Sequence, residues 1–357
     1  MDFNDGKFFT KKVVNLKDYA EKNIMPVYNF CTEFDKNYLY KGLSLYYSLK
    51  DFLKDDFILW ILCFDNLTYE ILSKLNEKQI KLIKLEEFEN EYLKRVKKER
   101  TFTEYAWTCT SNLILFLLKN KNVDSITYLD ADIYFFDSPK LIFDEIGDSS
   151  LAIIEHNFSE NRKHFEKVAG KFNVSIVYAK KNEDGIRAIK WWADKVIEWC
   201  YDRYEDGKFG DQKYLDEFSN LFPYVYVIEN KGINVSPWNM SSYPIEKKDD
   251  KIYVNGQPLI FFHFHRFYIL NDEKYMPASR YYIPKKTRQY IYELYWERIK
   301  STMNLVKEIY PNFNYGTKKL NKTQLIVEAL FRFKAFENLY LFLSKLKHVA
   351  LHSAHNL

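Results

Sequence analysis

A chain of 357 residues that is 47% hydrophobic carries enough apolar surface for a sizeable core and about two folding units, which excludes a disordered or fibrous protein. Its net charge of +4 is small and the two signs are interspersed, so a nucleic-acid partner is excluded, and no apolar run approaches a membrane span. The aromatic share of 18% is high and suits either ring stacking on sugars and bases or simple core filling. The opening MDFNDGKFF has acids where a signal peptide needs basic residues. Cys31, Cys63, Cys109 and Cys200 are scattered without a C-x-x-C pair, the first three in apolar contexts, so buried thiols in a reducing cytoplasm are expected.

Along the chain, MPVYNFCTEF reads as a first strand and NYLYKGLSLYYSLKDF as a helix. DFILWILCFD is a strand-length apolar run, YEILSKLNEKQ a helix and IKLIKLEEF an alternating strand, so the first 90 residues read as α/β with a parallel sheet. EYAWTCTSNLILFLLKN predicts a helix leading into the strand of ITYLDADIYFFD. LAIIEH and KFNVSIVYAK follow as strands, GIRAIKWWADKVIEWCYDR as a helix, and YVYVIE and PLIFFHFHRFYI as strands flanking the loop NKGINVSPWNM. From Arg288, apolar Ile291, Tyr295, Ile299, Met303 and Val306 mark one helical face that stops before Pro311, and the only plausible boundary lies near residue 285.

The chemistry concentrates in a few places. If residues 126–133 are extended, Asp130 and Asp132 share one side of the strand and offer hard oxygen donors suited to Mg²⁺ or Mn²⁺. The bland alternative is a strand-end turn with two solvated acids. His263 and His265 repeat this i, i+2 spacing within an apolar strand, and an imidazole added to two carboxylates shifts the choice toward Mn²⁺; a hydrogen-bonded core histidine is the alternative. Asp211 and Gln212 follow a glycine-marked loop, and Asn234, Trp238 and Asn239 sit among aromatics, where they can bond hydroxyl-rich ligands; Asp211 could equally cap the helix QKYLDEF.

The order of these parts, with DKNYL after the first strand, then YLDAD, FNVSIV, GDQKYL and a late strand ending in histidine, resembles the retaining GT-A glycosyltransferases of the glycogenin and lipopolysaccharide galactosyltransferase type, over roughly residues 24 to 285. The resemblance implies a Rossmann-like mixed α/β sheet flanked by helices (1–285) with a C-terminal helical extension (286–357). It further implies transfer of a sugar from a nucleotide diphosphate donor, a UDP-sugar, to a glycan or lipid-linked acceptor in polysaccharide biosynthesis. By matching positions, it implies nucleotide contacts at Asp35, Asn37 and Tyr38, metal ligands Asp130, Asp132 and His263, a sugar-side Asn173, and Asp211 with Gln212 beside the reacting anomeric carbon. This chain departs from the family at Trp107, where an arginine is usual, and at Arg266 and Ile269 within the family's H-x-x-G-x-x-K; Arg266 or Lys274 is the expected substitute cation for the diphosphate.

Two rival readings are weighed. A haloacid-dehalogenase-type phosphatase opens its domain with D-x-D and follows it with threonine, whereas here Ile133 and Tyr134 follow a motif beginning at residue 130. A non-catalytic carbohydrate-binding or scaffold protein draws support from the missing cations. The last 42 residues carry seven Lys or Arg against Glu328 and Glu337, on helices with apolar residues all round. Such a tail is expected to pack on its own domain or a second subunit, or to lie on an anionic inner membrane surface.

Overall fold

The computed structural model describes residues 27–354, with side chains as far as residue 346. The opening MDFNDGKFF and the side chains of His348, His352 and His355 lie outside that description. Four apolar runs of the first half pair as parallel neighbours: β1 (Tyr28–Phe34) lies between β2 (Phe57–Cys63) and β4 (Ser125–Leu129), with β3 (Ile80–Lys84) beyond β2. The sheet continues through β6 (Leu151–Glu155), β7 (Phe172–Lys180) and β8 (Val225–Ile228) to give seven strands in the order β3-β2-β1-β4-β7-β6-β8. Strand β7 runs antiparallel to both β4 and β6, so the sheet is mixed.

Helices cover both faces, and the period of the strands decides which residue goes to which. Phe30 packs in the layer that holds helix α1 (Leu39–Leu53), while its neighbour Cys31 packs in the layer that holds Cys109 and Leu113. Helix α2 (Asn66–Leu75) begins where Asp65 accepts from Thr68 N. Helix α3 (Glu91–Glu99) buries only Leu93 and Val96, too thin an apolar stripe to stand out in the sequence. Helix α4 (Phe102–Asn120) carries Cys109 and Leu113 and opens with a capping box of Thr101 and Glu104, and helix α5 (Glu183–Glu198) follows β7. All four cysteines are free and buried.

Several expected elements are shorter than their apolar runs. IKLIKLEEF leaves the strand at Lys84, and its last four residues wind into a turn whose Glu86 and Glu87 suit a helix N-terminus. Helix α5 ends before Trp199, which is extended, so Tyr201 to Arg203 are not helical. Residues 126–133 are not one strand: β4 ends at Leu129, Asp130 to Asp132 form a turn in which Ile133 N donates to Asp130 O (3.2 Å), and β5 (Ile133–Phe135) starts afresh. A small hairpin of β9 (Ile245–Lys248) and β10 (Lys251–Val254), extended by β11 (Gln257–Pro258), precedes β12 (Phe261–His263). PLIFFHFHRFYI divides likewise, into β12 and β13 (Tyr268–Asn271), because Arg266 turns the chain with a φ of 58°. Strand β13 pairs with β14 (Lys274–Met276).

Beyond a π-helical segment (Arg288–Tyr292), helix α6 (Glu293–Ile309) buries Tyr295, Ile299, Met303 and Val306 in the same apolar layer as α1, and Ile291 joins them. Helices α7 (Lys322–Leu330) and α8 (Lys334–Ala354) follow. Phe331 and Leu341 are buried, Phe331 beside the rings of Phe336 and Tyr340 on α8, while Ile326, Phe333 and Phe342 are exposed. Among the described residues, no helix is long and apolar enough to cross a membrane.

Candidate active site

One register fixes the centre of the site. Strand β12 pairs antiparallel with β5 so that His263 faces Ile133, and Phe264 N donates to Asp132 O (2.9 Å). The turn that breaks the expected strand therefore presents both acids to the histidine. His263 Nε2 lies 3.1 Å from Asp132 Oδ1 and 3.7 Å from Asp130 Oδ2. One donor atom from each of the three residues falls within 4.8 Å of the others, a separation that one ion can bridge. Asp130 is also held from behind: its N–H donates to Ser175 O (3.1 Å) and it accepts from the Tyr128 hydroxyl (3.1 Å).

The electrostatics fit a cation at this point. Burial pulls the His263 pKa down, but the charges of Asp132 and Asp130 and the bond to Asp132 outweigh it, and the net shift is upward. The same two carboxylates that favour positive charge on the imidazole would favour a metal cation between them. Burial raises Asp132, yet His263 and Lys41 bring it well below the usual carboxylate range; Asp130, with fewer cations near it, is raised by burial and by Asp132. Two carboxylate oxygens and one imidazole nitrogen suit Mn²⁺ or Mg²⁺, and an ion there would supply a positive charge for a diphosphate.

These residues line a cavity of about 580 Å³. Asp35, Tyr38, Asn173, Asp211, Gln212, Trp238, His265 and Arg266 line it too, so most of the expected site residues meet in one place. Asn37 does not reach the lining; it is exposed, and its backbone and side-chain amides donate to the two oxygens of Asp35 (2.9 and 2.7 Å). Asn234 and Asn239 do not reach it either. They are buried, and their amides donate to Glu155 O, His156 O and Asn234 O, which ties the loop down. Trp238 uses its indole N–H on His156 O (2.9 Å) and gives the cavity its ring. Lys274 sits exposed on β14 outside the lining, which leaves Arg266 as the expected substitute cation.

Asp211 occupies the N-terminal cap position of the helical turn Gln212–Glu217 but makes no side-chain capping bond. Burial, with the charge of Asp130 second, raises its pKa to about 8. Gln212 donates from Nε2 to Ala169 O (2.8 Å), which fixes its amide plane at the cavity wall. Asn173 accepts from Ser175 N (3.1 Å), and its amide nitrogen lies 3.3 Å from His156 Nε2.

The structure adds residues that the sequence did not single out. Lys41 is buried on α1 with its ammonium 3.7 Å from Asp132 Oδ2; its only sequence signal is a lone lysine on a face otherwise apolar. Glu33, next to last in β1, lines the cavity, accepts from the Thr110 hydroxyl (3.0 Å), and has no partner for Oε2. Arg162 and Arg280 also line the cavity, which gives it two guanidiniums besides Arg266.

No protein-family model matches the sequence. Among solved structures, the galactosyltransferase LgtC in complex with donor and acceptor sugar analogues is similar at 15% identity, covering 76% of this chain and 95% of that one, with a TM-score of 0.49. The glycosyltransferase GlyE of Streptococcus pneumoniae TIGR4 is similar at 15% identity, covering 83% of this chain and 66% of that one, with a TM-score of 0.48. Two proteins of Bacillus subtilis (strain 168) are related in sequence: uncharacterized protein YfnF, 31% identical over 305 residues with 82% of this chain and 99% of its own length covered, and uncharacterized protein YfnD, 28% identical over 296 residues with 82% and 95% covered. The chain belongs to the family of YfnF.

Proposed function

We propose that the protein is a metal-dependent glycosyltransferase of GT-A fold that moves a sugar from a nucleotide diphosphate donor, a UDP-sugar, to a glycan or lipid-linked acceptor with retention. The observation that carries this reading is the convergence of Asp130, Asp132 and His263 on one ion-sized point in a cavity that also holds Asp211 and Gln212. A bound Mn²⁺ or Mg²⁺ would stabilise the negative charge of the departing nucleoside diphosphate. Asp130, Asp132 and His263 would hold that ion, and Arg266 adds a guanidinium on the same cavity wall. Asp35 and Tyr38 stand where the first strand delivers the nucleotide, with Asn37 bracing Asp35.

For retention, the protein has either a nucleophile or a front-face route. The amide of Gln212 is a poor nucleophile and Asp211 is held toward its neutral form, so the front-face route fits the wall better. Four free buried thiols suit a cytoplasmic enzyme, and the basic outer side of the tail, with Ile326, Phe333 and Phe342 exposed, suits contact with an anionic membrane where a lipid-linked acceptor resides.

The test is release of free nucleoside diphosphate from a panel of nucleotide sugars with Mn²⁺ present. Release that EDTA abolishes is expected. A chain that binds sugars yet releases no nucleoside diphosphate from any donor is a binding protein, and the proposal falls.

A further inference from the structure

The tail is joined to the cavity by its acids. Residues 316–357 contain two, Glu328 and Glu337, and both are spent on the cavity rim. Glu328 accepts from the Ser279 hydroxyl (2.5 Å) and from Arg280 N (3.1 Å); Glu337 accepts from Arg162 Nη2 (2.5 Å) and from Tyr282 N (3.0 Å). Glu337 and Arg162 are both buried, so this is an ion pair out of solvent and not a loose surface contact. Three residues further along α8, on the same helical face, Tyr340 lines the cavity itself.

Other rings lining the same cavity as Tyr340 run from Tyr281 to His263. His265 lies 6.2 Å from His263, Tyr281 lies 6.1 Å beyond His265, and the Arg162 guanidinium stands 4.3 Å over the Tyr281 ring. Trp238 closes the side of this row, 5.1 Å from His263 and 5.3 Å from His265. A row of edge-on rings, with a guanidinium over one face of Tyr281, leaves apolar ring surface beside a hydrogen-bond donor, which matches a sugar ring with its C–H faces and edge of hydroxyls. The end of β1, with Asp35 and Tyr38, supplies the nucleotide side of the same cavity, so the aromatic row leads away from the metal toward the other substrate.

We infer that helix α8 forms part of the acceptor subsite, with Tyr340 and Tyr281 as stacking walls for an acceptor sugar ring and Glu337 as the residue that positions Arg162 at its edge. This rests on the transferase reading. It assigns to the tail a role in substrate choice, which neither packing nor membrane contact requires.

The test uses the full-length chain with Mn²⁺. For Tyr340→Ala, transfer to methyl and para-nitrophenyl glycosides of glucose and galactose is expected to fall at least about tenfold relative to hydrolysis of the donor, through a higher KM for the glycoside. Tyr340→Phe keeps the ring and is expected to restore the ratio, and Phe342→Ala, on the exposed side of α8, serves as the folding and handling control. A second readout needs no turnover: saturation-transfer NMR with methyl glucoside and methyl galactoside, in the presence of UDP and Mn²⁺, should show binding that Tyr340→Ala removes. An unchanged transfer ratio, a parallel fall in UDP affinity, or a wild-type chain that binds neither glycoside overturns the inference. Failure of any donor to release nucleoside diphosphate overturns the transferase reading instead, and the NMR result then decides the sugar platform separately.

Discussion

Lys41 places its ammonium 3.7 Å from Oδ2 of Asp132, with both side chains nearly out of solvent. The two acids of the D-x-D turn are therefore unequal. Asp132 has a built-in cation and is held ionised, whereas Asp130 has the Tyr128 hydroxyl and a raised pKa. The turn thus carries one carboxylate that His263 and Lys41 already balance and one, Asp130, with fewer cations beside it.

Replacing Lys41 with methionine should test that asymmetry. The metal-free variant is expected to lose about 2 kcal/mol of stability, because a buried charge loses its partner. Saturating Mn²⁺ should recover much of the loss, since the ion takes over the neutralisation, and by linkage the variant should bind Mn²⁺ more tightly. Urea unfolding with and without Mn²⁺ reads both effects. An equal loss in the two conditions would show that Lys41 only fills space.

The two histidines should separate cleanly. His263 reaches both acids, whereas burial, the charge of His263 and Arg266 push the His265 pKa down to about 3, so it stays a neutral ring beside His263. His263→Ala and Asp132→Ala are each expected to weaken Mn²⁺ binding by at least about a hundredfold, measured by electron paramagnetic resonance of free Mn²⁺. His265→Ala should leave it within a few-fold. The reverse order would move the metal site by one residue pair.

The sequence was legible where one run of residues forms one element. The parallel order of β1, β2 and β3, the D-x-D acids and the helical face of Ile291, Tyr295 and Ile299 follow from periodicity and apolar content. The period-two argument placed Asp130 and Asp132 on one side of an extended strand, and the structure has a turn there instead. Asp130 and Asp132 both approach His263 because a turn swings them toward β12, and that turn depends on a pairing between residues about 130 apart in the chain, which no local pattern encodes. Lys41, Glu33 and Arg162 were not singled out for the same reason: each is ordinary in its own segment and acquires meaning only from what tertiary contact sets beside it. Asn234 and Asn239 show the converse, since polar residues among aromatics proved to be fasteners for a loop.

Asp211 should impose a pH dependence on stability. Its folded pKa, about 8, is above the ordinary carboxylate value, so between those two values the folded state binds a proton that the unfolded state does not. Stability of the metal-free protein is therefore expected to fall as pH rises from near 4 to near 8, by up to about 1.4 kcal/mol per pH unit from this group. Asp211→Asn should remove that part of the slope in urea titrations. Added Mg²⁺ should shrink it as well, because neutralising Asp130 removes one of the two effects that raise Asp211. A slope that persists unchanged in Asp211→Asn would assign it to another group.

The loop that presents Asp211 depends on a glycine. Gly210 has a φ of +53°, and a Cβ there would lie 3.2 Å from Cε3 of Trp107. Two separate costs oppose Gly210→Ala: the left-handed backbone, about 1–2 kcal/mol, and the push against the indole. Trp107→Ala removes the second and leaves the first. The double variant Gly210→Ala with Trp107→Ala is therefore expected to be less destabilised than the two single losses added together, by roughly 0.5–1 kcal/mol, a coupling that a double-mutant cycle of urea midpoints measures. Turnover should follow the position of Asp211 more than the global stability, so Gly210→Ala should lower kcat even at temperatures where it is fully folded. Strict additivity would mean that Trp107 yields freely, and that it does not hold the Gly210–Asp211 loop in place.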